Sequence, residues 1–338
     1  MHEVGASFPD KHWYRLSALS LALWPASLLY RLLTALRRLA YRSGALATVR
    51  LPVAVIVVGN LVAGGTGKTP LVLSLAAMLA KRGRKPGIVS RGYRGSAATP
   101  MAVAPASPVD LVGDEPLLLA RESGCPVWIG RDRAAAALGL LAAHPECDVL
   151  ILDDGLQHYR LARDIEIAVE DERGAGNGLL LPAGPLREPL SRRVDAWVIN
   201  SAAAGTHDSS FRMDLRGAAF RRVAAPHDSV PAASFAGKKL HAVAGIGNPQ
   251  RFFDHLARLG LATVNHAFPD HHAYAAGDLA FGDCDALLMT EKDAVKCEAF
   301  ARQHWYALQV EAELAPAFFD FILAKLGASN SNAVRRPI

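Results

Sequence analysis

A glycine-rich segment, GNLVAGGTGKTP at residues 59–70, ends in Lys68, Thr69 and a proline. Backbone N–H groups can surround a phosphate only where no Cβ intrudes, and glycines tolerate the positive φ angles that such loops need. In a phosphate-binding loop the lysine reaches the β- and γ-phosphates, and the hydroxyl lies against Mg²⁺. Where the strict pattern G-x-x-x-x-G-K-[ST] has its first glycine, this chain has Val62. The nucleotide-binding residues that the segment predicts are Gly64, Gly65, Thr66, Gly67, Lys68 and Thr69.

Two adjacent aspartates, Asp153 and Asp154, follow an apolar run in DVLILDDG at residues 148–155. A phosphoryl-transfer site needs a carboxylate at a strand tip near the phosphate loop, to hold Mg²⁺ or one of its waters. An aspartate after an apolar strand can also be a turn residue, but the upstream phosphate loop favours the metal role. We therefore predict that one of the two carboxylates contacts Mg²⁺.

Three further polar segments could serve an acceptor. Asp114 and Glu115 begin a predicted helix in GDEP, where acidic residues are commonly caps. Arg91 and Tyr93 stand in SRGYRG, after a strand, where open α/β sheets bind ligands, although an exposed salt-bridging arginine is the alternative. The paired histidines of FPDHHAY at 268–274 could bind metal, act as a general base or lie on the surface. Their spacing does not match H-E-x-x-H.

The elements around the glycine loop suit a nucleotide site. A β-branched run at 51–60 predicts a buried strand before the loop, and residues 71–83 predict a helix after it. The run at 85–90 predicts the next strand and completes a βαβ unit. Strands and helices continue to alternate up to residue 200. This alternation predicts a doubly wound, mostly parallel sheet of the P-loop NTPase type.

The length of 338 residues suggests two domains, at one domain per roughly 150 residues. Fresh strand–helix units at 237–260 and 285–297 predict a second, smaller α/β domain. We divide the chain into an N-terminal apolar and basic helix (1–45), a P-loop kinase domain (46–225), a smaller domain closing the cleft (226–328) and a loose tail (329–338).

Composition narrows the partners. Hydrophobic residues make up 51% and charged residues 20%, which excludes wholesale disorder. A net charge of +5 suits nucleotides, acidic lipids or a membrane surface, but it is too weak to indicate nucleic acid. None of the cysteines forms C-x-x-C or stands at zinc-ligand spacing, so we expect buried thiols in a reducing cytosol. We expect a monomer.

The N-terminal segment predicts membrane contact. Residues 17–30 carry no charge, and residues 31–42 follow with several arginines. The apolar run is shorter than the about 20 residues that span a bilayer, and Pro25 in its middle would kink a helix. An anchor, an interfacial helix, a signal sequence and a buried helix are the alternatives, but export would separate a nucleotide loop from ATP. Arginines beside an apolar segment suit an anionic cytoplasmic leaflet.

The motifs taken together resemble one family. They occur in this order: GNLVAGGTGKTP, SRGYRG, GDEP, DDGLQHYRLARD, GNGLLLPAGPLREP, GIGNPQRFF, FPDHHAY and TEKDAVKC. From near residue 14 to near residue 325, the chain resembles the tetraacyldisaccharide 4′-kinases of lipid A biosynthesis, whose phosphate loop departs from the strict pattern in the same way. The resemblance implies an ATP- and Mg²⁺-dependent kinase at the cytoplasmic face of the inner membrane of a Gram-negative bacterium. Its acceptor would be the 4′-hydroxyl of a tetraacylated glucosamine disaccharide 1-phosphate.

The same resemblance implies roles for individual residues. Asp114 and His271 become a base and its partner beside Lys68, and Glu115 becomes a further metal candidate. The remaining implied ligands are Thr69, Asp153 and Asp154 for Mg²⁺, and Arg91, Tyr93 and His158 for the acylated disaccharide. The chain departs from the family pattern at 169–176, where Ala175 replaces an expected aromatic residue.

Three other functions share parts of this pattern. A membrane-linked partitioning ATPase would use K-G-G-x-G-K-[ST], but Ala63 stands where its first lysine should be. A GTP-driven metallochaperone would need N-K-x-D, and TEKD at 290–293 has Glu291 in place of the asparagine. A nucleotide-binding regulator without catalysis is the third. ATP against GTP turnover, with and without a lipid disaccharide, would separate them.

Overall fold

The computed structural model describes residues 12–200 and 207–334. Residues 1–11 of the predicted N-terminal segment and residues 335–338 of the predicted loose tail lie outside the described part. The first residues of that predicted tail continue a helix, Pro316–Val334.

A nine-stranded sheet forms the larger layer of the described chain. Its central strand, Ala54–Gly59, is buried along its whole length because helices cover both faces. Neighbours run parallel except at the two edges. In chain order the strands are β1 Ala54–Gly59, β2 Pro86–Ser90, β3 Met101–Val103, β4 Val127–Ile129, β5 Val149–Asp153, β6 Ile165–Asp171, β7 Ala196–Asn200, β8 Ser210–Arg216 and β15 Glu311–Leu314, and across the sheet they stand β15-β8-β7-β6-β1-β5-β2-β4-β3.

Helices pack on both faces of this sheet. On one face of the sheet, a hydrophobic core includes Leu71, Leu117 and Phe318 from three helices. On the opposite face, a second core includes Leu140 from a fourth helix. This confirms the predicted doubly wound α/β fold with a mostly parallel sheet. The edge strand β3 lies in a segment, residues 96–109, whose many alanines, prolines and serines predict a loop. The helices of this layer are α3 Lys68–Lys81, α4 Val109–Val112, α5 Asp114–Glu122, α6 Arg133–Ala143 and α9 Pro316–Val334.

A second, six-stranded sheet carries the rest of the chain. Its strands are β9 Ala219–Arg222, β10 Ala225–Pro231, β11 Leu240–Ala244, β12 Thr263–Ala267, β13 Ala286–Thr290 and β14 Trp305–Leu308, in the order β10-β9-β14-β13-β11-β12. Two helices belong to it, α7 Pro249–Arg258 and α8 Glu291–Cys297. β11 and β13 are parallel neighbours, so the loops after them emerge at the same edge.

The chain passes between the sheets near residue 217 and returns near residue 310. β9 already belongs to the second sheet, and β15 pairs antiparallel with β8 of the first. Leu314 and Phe318 then bury against the first core. The limits 226 and 328 of the smaller domain stay a prediction. The chain passes from one sheet to the other near residues 217 and 310 instead.

Two helices precede the first sheet, α1 Ala18–Ala22 and α2 Trp24–Arg42. Pro25 does not kink a helix, because it stands in the first turn of α2, where its missing N–H disrupts no bond. Ser27 Oγ donates to the Leu180 carbonyl at 2.8 Å and Tyr30 Oη to the Arg187 carbonyl at 3.2 Å. Within residues 12–200 and 207–334, no helix is long and apolar enough to cross a membrane.

Candidate active site

The phosphate loop connects β1 to α3. Gly64 and Gly67 have φ values of 101° and 93°, which side chains other than glycine rarely adopt. Asn200, at the end of β7, donates from Nδ2 to the Thr66 carbonyl at 2.9 Å. A Cβ on Gly67 would lie 2.3 Å from that Nδ2, so only glycine fits there. The amide of Asn200 therefore holds the loop open.

Lys68 is buried at the start of α3, and its Nζ lies 3.8 Å from Asp154 Oδ1. Arg187 donates to both carboxylate oxygens of Asp154, at 3.0 and 3.1 Å. Burial alone would raise the pKa of Asp154, but Lys68 and Arg187 outweigh it and lower the pKa to about 2. Asp154 is thus a fixed anion that orients two cations beside the loop.

Asp153 has different surroundings from those of its neighbour. It ends β5 opposite Val58 of β1, and its Oδ2 accepts from Ser90 Oγ at 3.1 Å. Its Oδ1 is buried without a hydrogen-bond partner in the described part of the chain. Burial, with the nearby charge of Glu115, raises the pKa of Asp153 to about 7. A buried carboxylate oxygen without a donor, one strand from the phosphate loop, suits a cation.

The described residues contain no group of three or more His, Cys, Asp or Glu side chains placed to hold a metal ion. Mg²⁺ is usually bound by one or two carboxylates together with substrate phosphates and water. Asp153 and Thr69, in the first turn of α3, match that donor set, so the residues present fit Mg²⁺.

Asp114 and His271 meet across the cleft between the two sheets. Nδ1 of His271 lies 2.9 Å from Oδ2 and 3.1 Å from Oδ1 of Asp114. Burial opposes the charge on Asp114, but the hydrogen bond to His271 and the Lys292 cation lower its pKa to about 2. Burial also disfavours the imidazolium, yet the bond to Asp114 raises the pKa of His271 above its ordinary value. The two sequence-predicted residues therefore form a buried pair.

The backbone around His271 is constrained. Its φ is 58°, uncommon outside glycine, and its N–H donates to the Gly245 carbonyl at 3.0 Å. Arg94 of the first layer donates to the His271 carbonyl at 3.0 Å, and the Tyr93 ring lies edge-on 5.2 Å from the imidazole. Tyr93 is 49% exposed, so an acceptor can reach the pair from its side. Arg91 is exposed on the same loop.

Glu115 stays a predicted metal candidate, and its partner in the structure is a cation. Lys292, in the first turn of α8, donates to Glu115 Oε1 from the other side of the cleft. Burial opposes the charge of Glu115, and Lys292 with Lys68 lowers its pKa nevertheless. Sequence analysis missed Lys292. Its signal was a charged residue just after a buried strand, in the TEKD segment that was considered for guanine binding and as part of the family resemblance.

A cavity of about 860 Å³ occupies the cleft. Thr66 and Lys68 line one wall, and Lys292 lies on the other. Asn248 closes one end by donating from Nδ2 to Glu172 Oε1 at 2.7 Å. Other lining residues that sequence analysis did not name are Asn200, Arg212, Gly247 and Arg251. Part of that wall had a sequence signal, because GIGNPQRFF is itself a glycine turn that opens a helix.

His158 lies apart from the residues that line this cavity. Burial and the adjacent Arg133 lower its pKa to about 4, and its Nε2 has no hydrogen-bond partner within the described residues. Arg133 donates to the Asp154 carbonyl at 2.9 Å, so it connects His158 to the acidic motif. Substrate contact by His158 stays a prediction. Ala175 lies in the loop that departs from the family pattern, and it packs against the second core of the sheet.

Comparison with known proteins points to one family. A model of the LpxK family, tetraacyldisaccharide-1-P 4′-kinase, matches residues 19–327. The tetraacyldisaccharide 4′-kinase of Azoarcus sp. (strain BH72) is 52% identical over 93% of this chain and 94% of its own length. That of Dechloromonas aromatica (strain RCB) is 51% identical over 95% of this chain and 98% of its own.

A solved structure shares the fold. The crystal structure of the "apo" form of LpxK from Aquifex aeolicus in complex with ATP superposes with a TM-score of 0.78 at 31% identity. It covers 91% of this chain and 99% of its own. The match of the family model and the identity to relatives extend over nearly the whole chain. The protein therefore belongs to the tetraacyldisaccharide 4′-kinase family.

Proposed function

We propose that this protein transfers the γ-phosphoryl group of ATP to the 4′-hydroxyl of a tetraacylated glucosamine disaccharide 1-phosphate in lipid A biosynthesis. The observation that carries the proposal is the Asp114–His271 pair, which joins the two layers directly beside Glu115, a residue of the cavity that the phosphate loop also lines. The relative from Aquifex aeolicus was crystallised with ATP, which supports ATP as the donor. The acceptor follows from what its family phosphorylates.

The chain's residues divide the reaction between them. The loop N–H groups and Lys68 hold the β- and γ-phosphates at the N-terminus of α3. Asp114 fixes the imidazole with its Nδ1 proton inward, which leaves Nε2 of His271 to take the proton of the 4′-hydroxyl. The oxygen then bonds to the γ-phosphorus, the bridging bond breaks, and ADP leaves with the electron pair. Thr69 and Asp153 would hold Mg²⁺, which when bound would offset the negative charge of the phosphates.

The outer face of α2 suits a lipid surface. Its polar inner face contacts the first layer, where Arg38 lies 3.8 Å from Glu188. Its outward face carries leucines that are about half exposed, and contact of so much apolar surface with water is unfavourable. These outward leucines are Leu28, Leu29, Leu32, Leu33, Leu36 and Leu39. The acyl chains of the acceptor stay in the membrane, so we place the enzyme on the cytoplasmic face of the inner membrane through this helix.

Charges on this face should release the protein from lipid. Replacing Leu29 and Leu33, 57% and 56% exposed, with glutamate removes two half-buried anchors worth about 1 kcal/mol each. Cosedimentation with anionic phospholipid vesicles should then weaken by about thirtyfold. Leu138→Glu is the matched control, since Leu138 is 50% exposed on α6 and outside this helix. Equal binding by the double variant and the control would rule out α2 as the lipid-binding face.

The pH dependence should report the imidazole. Because the bond to Asp114 raises the pKa of His271, kcat/KM should fall as pH drops through a value above the ordinary one near 6.5. Asp114→Asn removes the anion, so the acidic limb should move to lower pH while the maximum also falls. The measurement is initial rate against pH at limiting acceptor. A limb that stays in place, or moves upward, would show that His271 is not the group that titrates.

The GTPase alternative is disfavoured because Glu291 and Ala294 stand at the asparagine and aspartate positions of N-K-x-D, and Asp293 is the one aspartate of the TEKD segment. That side chain is fully buried, and its Oδ2 accepts from the Gly245 N–H at 3.0 Å and from Thr290 Oγ1 at 2.7 Å. It is therefore unavailable to a guanine base. Turnover of ATP and GTP should be compared with and without the acceptor in mixed micelles. We expect ATP consumption that depends on the disaccharide. Consumption of GTP, or of ATP regardless of acceptor, would contradict the proposed function.

A further inference from the structure

Lys292 crosses from the second layer to the nucleotide side of the cleft. Its Nζ donates to Glu115, and both residues line the cavity that the phosphate loop also lines. The Lys292 side chain is 21% exposed and forms part of the cavity wall. On the first layer, Glu115 lies near enough to Lys68 for that cation to lower its pKa. The carboxylate of Glu115 is therefore flanked by one cation from each layer.

The acidic groups around Lys292 place it at a definite point in the cleft. They are Glu115 on the cavity wall, Asp114 of the buried pair and Asp270 next to His271. Burial alone would lower the pKa of Lys292, but these three carboxylates raise it above its ordinary value. The ammonium thus stays charged, and Lys292 both lines the nucleotide cavity and lies near the carboxylate of the Asp114–His271 pair. A phosphoryl group that leaves the cavity for an acceptor at this pair would pass close to Lys292.

The reaction needs a cation there. The transferring phosphoryl group carries negative charge on three equatorial oxygens, and stabilising that charge is most of the catalysis. Lys68 approaches from the phosphate loop only. Around Lys292 the neighbouring groups are the carboxylates of Asp114, Glu115 and Asp270, which would repel the phosphoryl group. Among the described residues in contact with these carboxylates, Lys292 offers the ammonium that faces the cavity.

We propose that Lys292 is a catalytic residue that the second layer brings against the transferring phosphoryl group, with Glu115 as its positioning residue. The inference rests on the proposed kinase function. Lys292 donates N–H groups to the equatorial oxygens, keeps its proton and forms no covalent bond. The new bond joins the 4′-oxygen to the γ-phosphorus, ADP leaves with the electrons of the broken bond, and the hydroxyl proton goes to His271.

The competing role is a clasp in which Lys292 only holds the two layers together through Glu115. A clasp acts through the ion pair, so Glu115→Gln would then harm turnover as much as loss of Lys292. A clasp also sets the shape of the nucleotide cavity, so ATP affinity would weaken. A catalytic ammonium instead lowers kcat, leaves ATP affinity nearly unchanged, and can be replaced by a small amine that diffuses into the space left.

The experiment uses the full chain in mixed micelles with the acylated disaccharide. Lys292→Ala should lower kcat about a hundredfold, the low end for one lost transition-state donor. ATP affinity, measured by displacement of a fluorescent nucleotide, should change less than threefold. Ethylammonium at millimolar concentration should raise the kcat of Lys292→Ala at least tenfold. A salt without an amine, at the same ionic strength, should not. Glu115→Gln should lose less kcat than Lys292→Ala.

Two further variants control for folding and for charge. Lys292→Arg keeps the ion pair and the fold, but its wider guanidinium should still lower kcat severalfold and should not respond to ethylammonium. Lys239→Ala removes a lysine that pairs with Asp283 at 2.8 Å on the surface of the same layer, and it should behave as wild type.

The results distinguish a failure of the proposed kinase function from a failure of the role proposed for Lys292. If the wild-type protein transfers no phosphate, the proposed kinase function fails. If the wild type is active and Lys292→Ala keeps its kcat, only the role of Lys292 fails. Equal losses in Lys292→Ala and Glu115→Gln with weakened ATP affinity, or no rescue by the amine, would overturn the inference in favour of a clasp.

Discussion

Asp114→Ala and His271→Ala should each lower kcat on the order of 10²–10⁴, with the double variant little worse than the poorer single one. The reason is that the two groups act as one unit, joined at 2.9 Å across the cleft. Without the carboxylate, the imidazole loses its fixed tautomer and its raised basicity. Without the imidazole, the buried Asp114 carboxylate loses its side-chain hydrogen-bond partner. ATP affinity should barely change, because neither residue lines the nucleotide cavity.

A neighbouring pair supplies the matched control for this cycle. His272 lies 3.1 Å from Asp278, so it is also a histidine bound to an aspartate, one residue further along the chain. His272→Ala should keep kcat within about twofold, since surface substitutions seldom cost much. Independent, additive losses for Asp114 and His271, or near-normal kcat in His271→Ala, would return both residues to structural roles.

Lys68→Ala should lose at least about a hundredfold in kcat/KM, near 3 kcal/mol of transition-state stabilisation. The side chain is buried at the N-terminus of α3, where the helix dipole and the loop N–H groups already favour phosphate. Its loss also leaves Asp154 with Arg187 as its main cation, so nearby negative charge would be less well compensated. The measurement is the initial rate of ATP-dependent transfer at limiting ATP.

Lys81 is the matched control for Lys68, because it ends the same helix on the solvent side. Lys81→Ala should keep kcat/KM within about twofold. Turnover of Lys68→Ala within threefold of wild type would contradict the assignment of the phosphate loop.

The strand–loop–helix around Lys68 could be predicted because its determinants are local. A β-branched run, glycines at the turn and a proline early in the helix each favour one backbone state. The observed β1 and α3 begin and end within a few residues of the predicted bounds. The acidic pair after β5 follows from the same logic, since parallel strands present their carboxyl ends at one edge.

Contacts across the cleft could not be predicted from spacing. Asp114 and His271 are 157 positions apart, and Lys292 and Glu115 are 177 apart, so no periodicity relates them. The first pair was named through family resemblance alone. In the second pair, Glu115 was named only as a further metal candidate from the family resemblance, and nothing in the local sequence pointed to Lys292 as its partner.

The return of the chain to the first sheet also lacked a local signal. β15 is only four residues long, so the alternation of its charged and apolar side chains is too short to indicate a strand from sequence. Its place is fixed by antiparallel pairing with β8 and by burial of Leu314, which are tertiary effects. Pro25 is the opposite case. The rule that proline kinks a helix holds for the helix interior, whereas Pro25 stands in the first turn.

The position of the phosphate in the product tests the central claim most directly. The protein should be incubated with ATP, Mg²⁺ and the tetraacylated disaccharide 1-phosphate, and the lipid product analysed by ¹H–³¹P correlation NMR. We predict a second phosphomonoester whose phosphorus couples to the proton at C4′ of the distal glucosamine, with one ADP formed per product. Phosphorus coupled to a proton at any other carbon, or ADP formed with inorganic phosphate and unmodified lipid, would contradict the assignment.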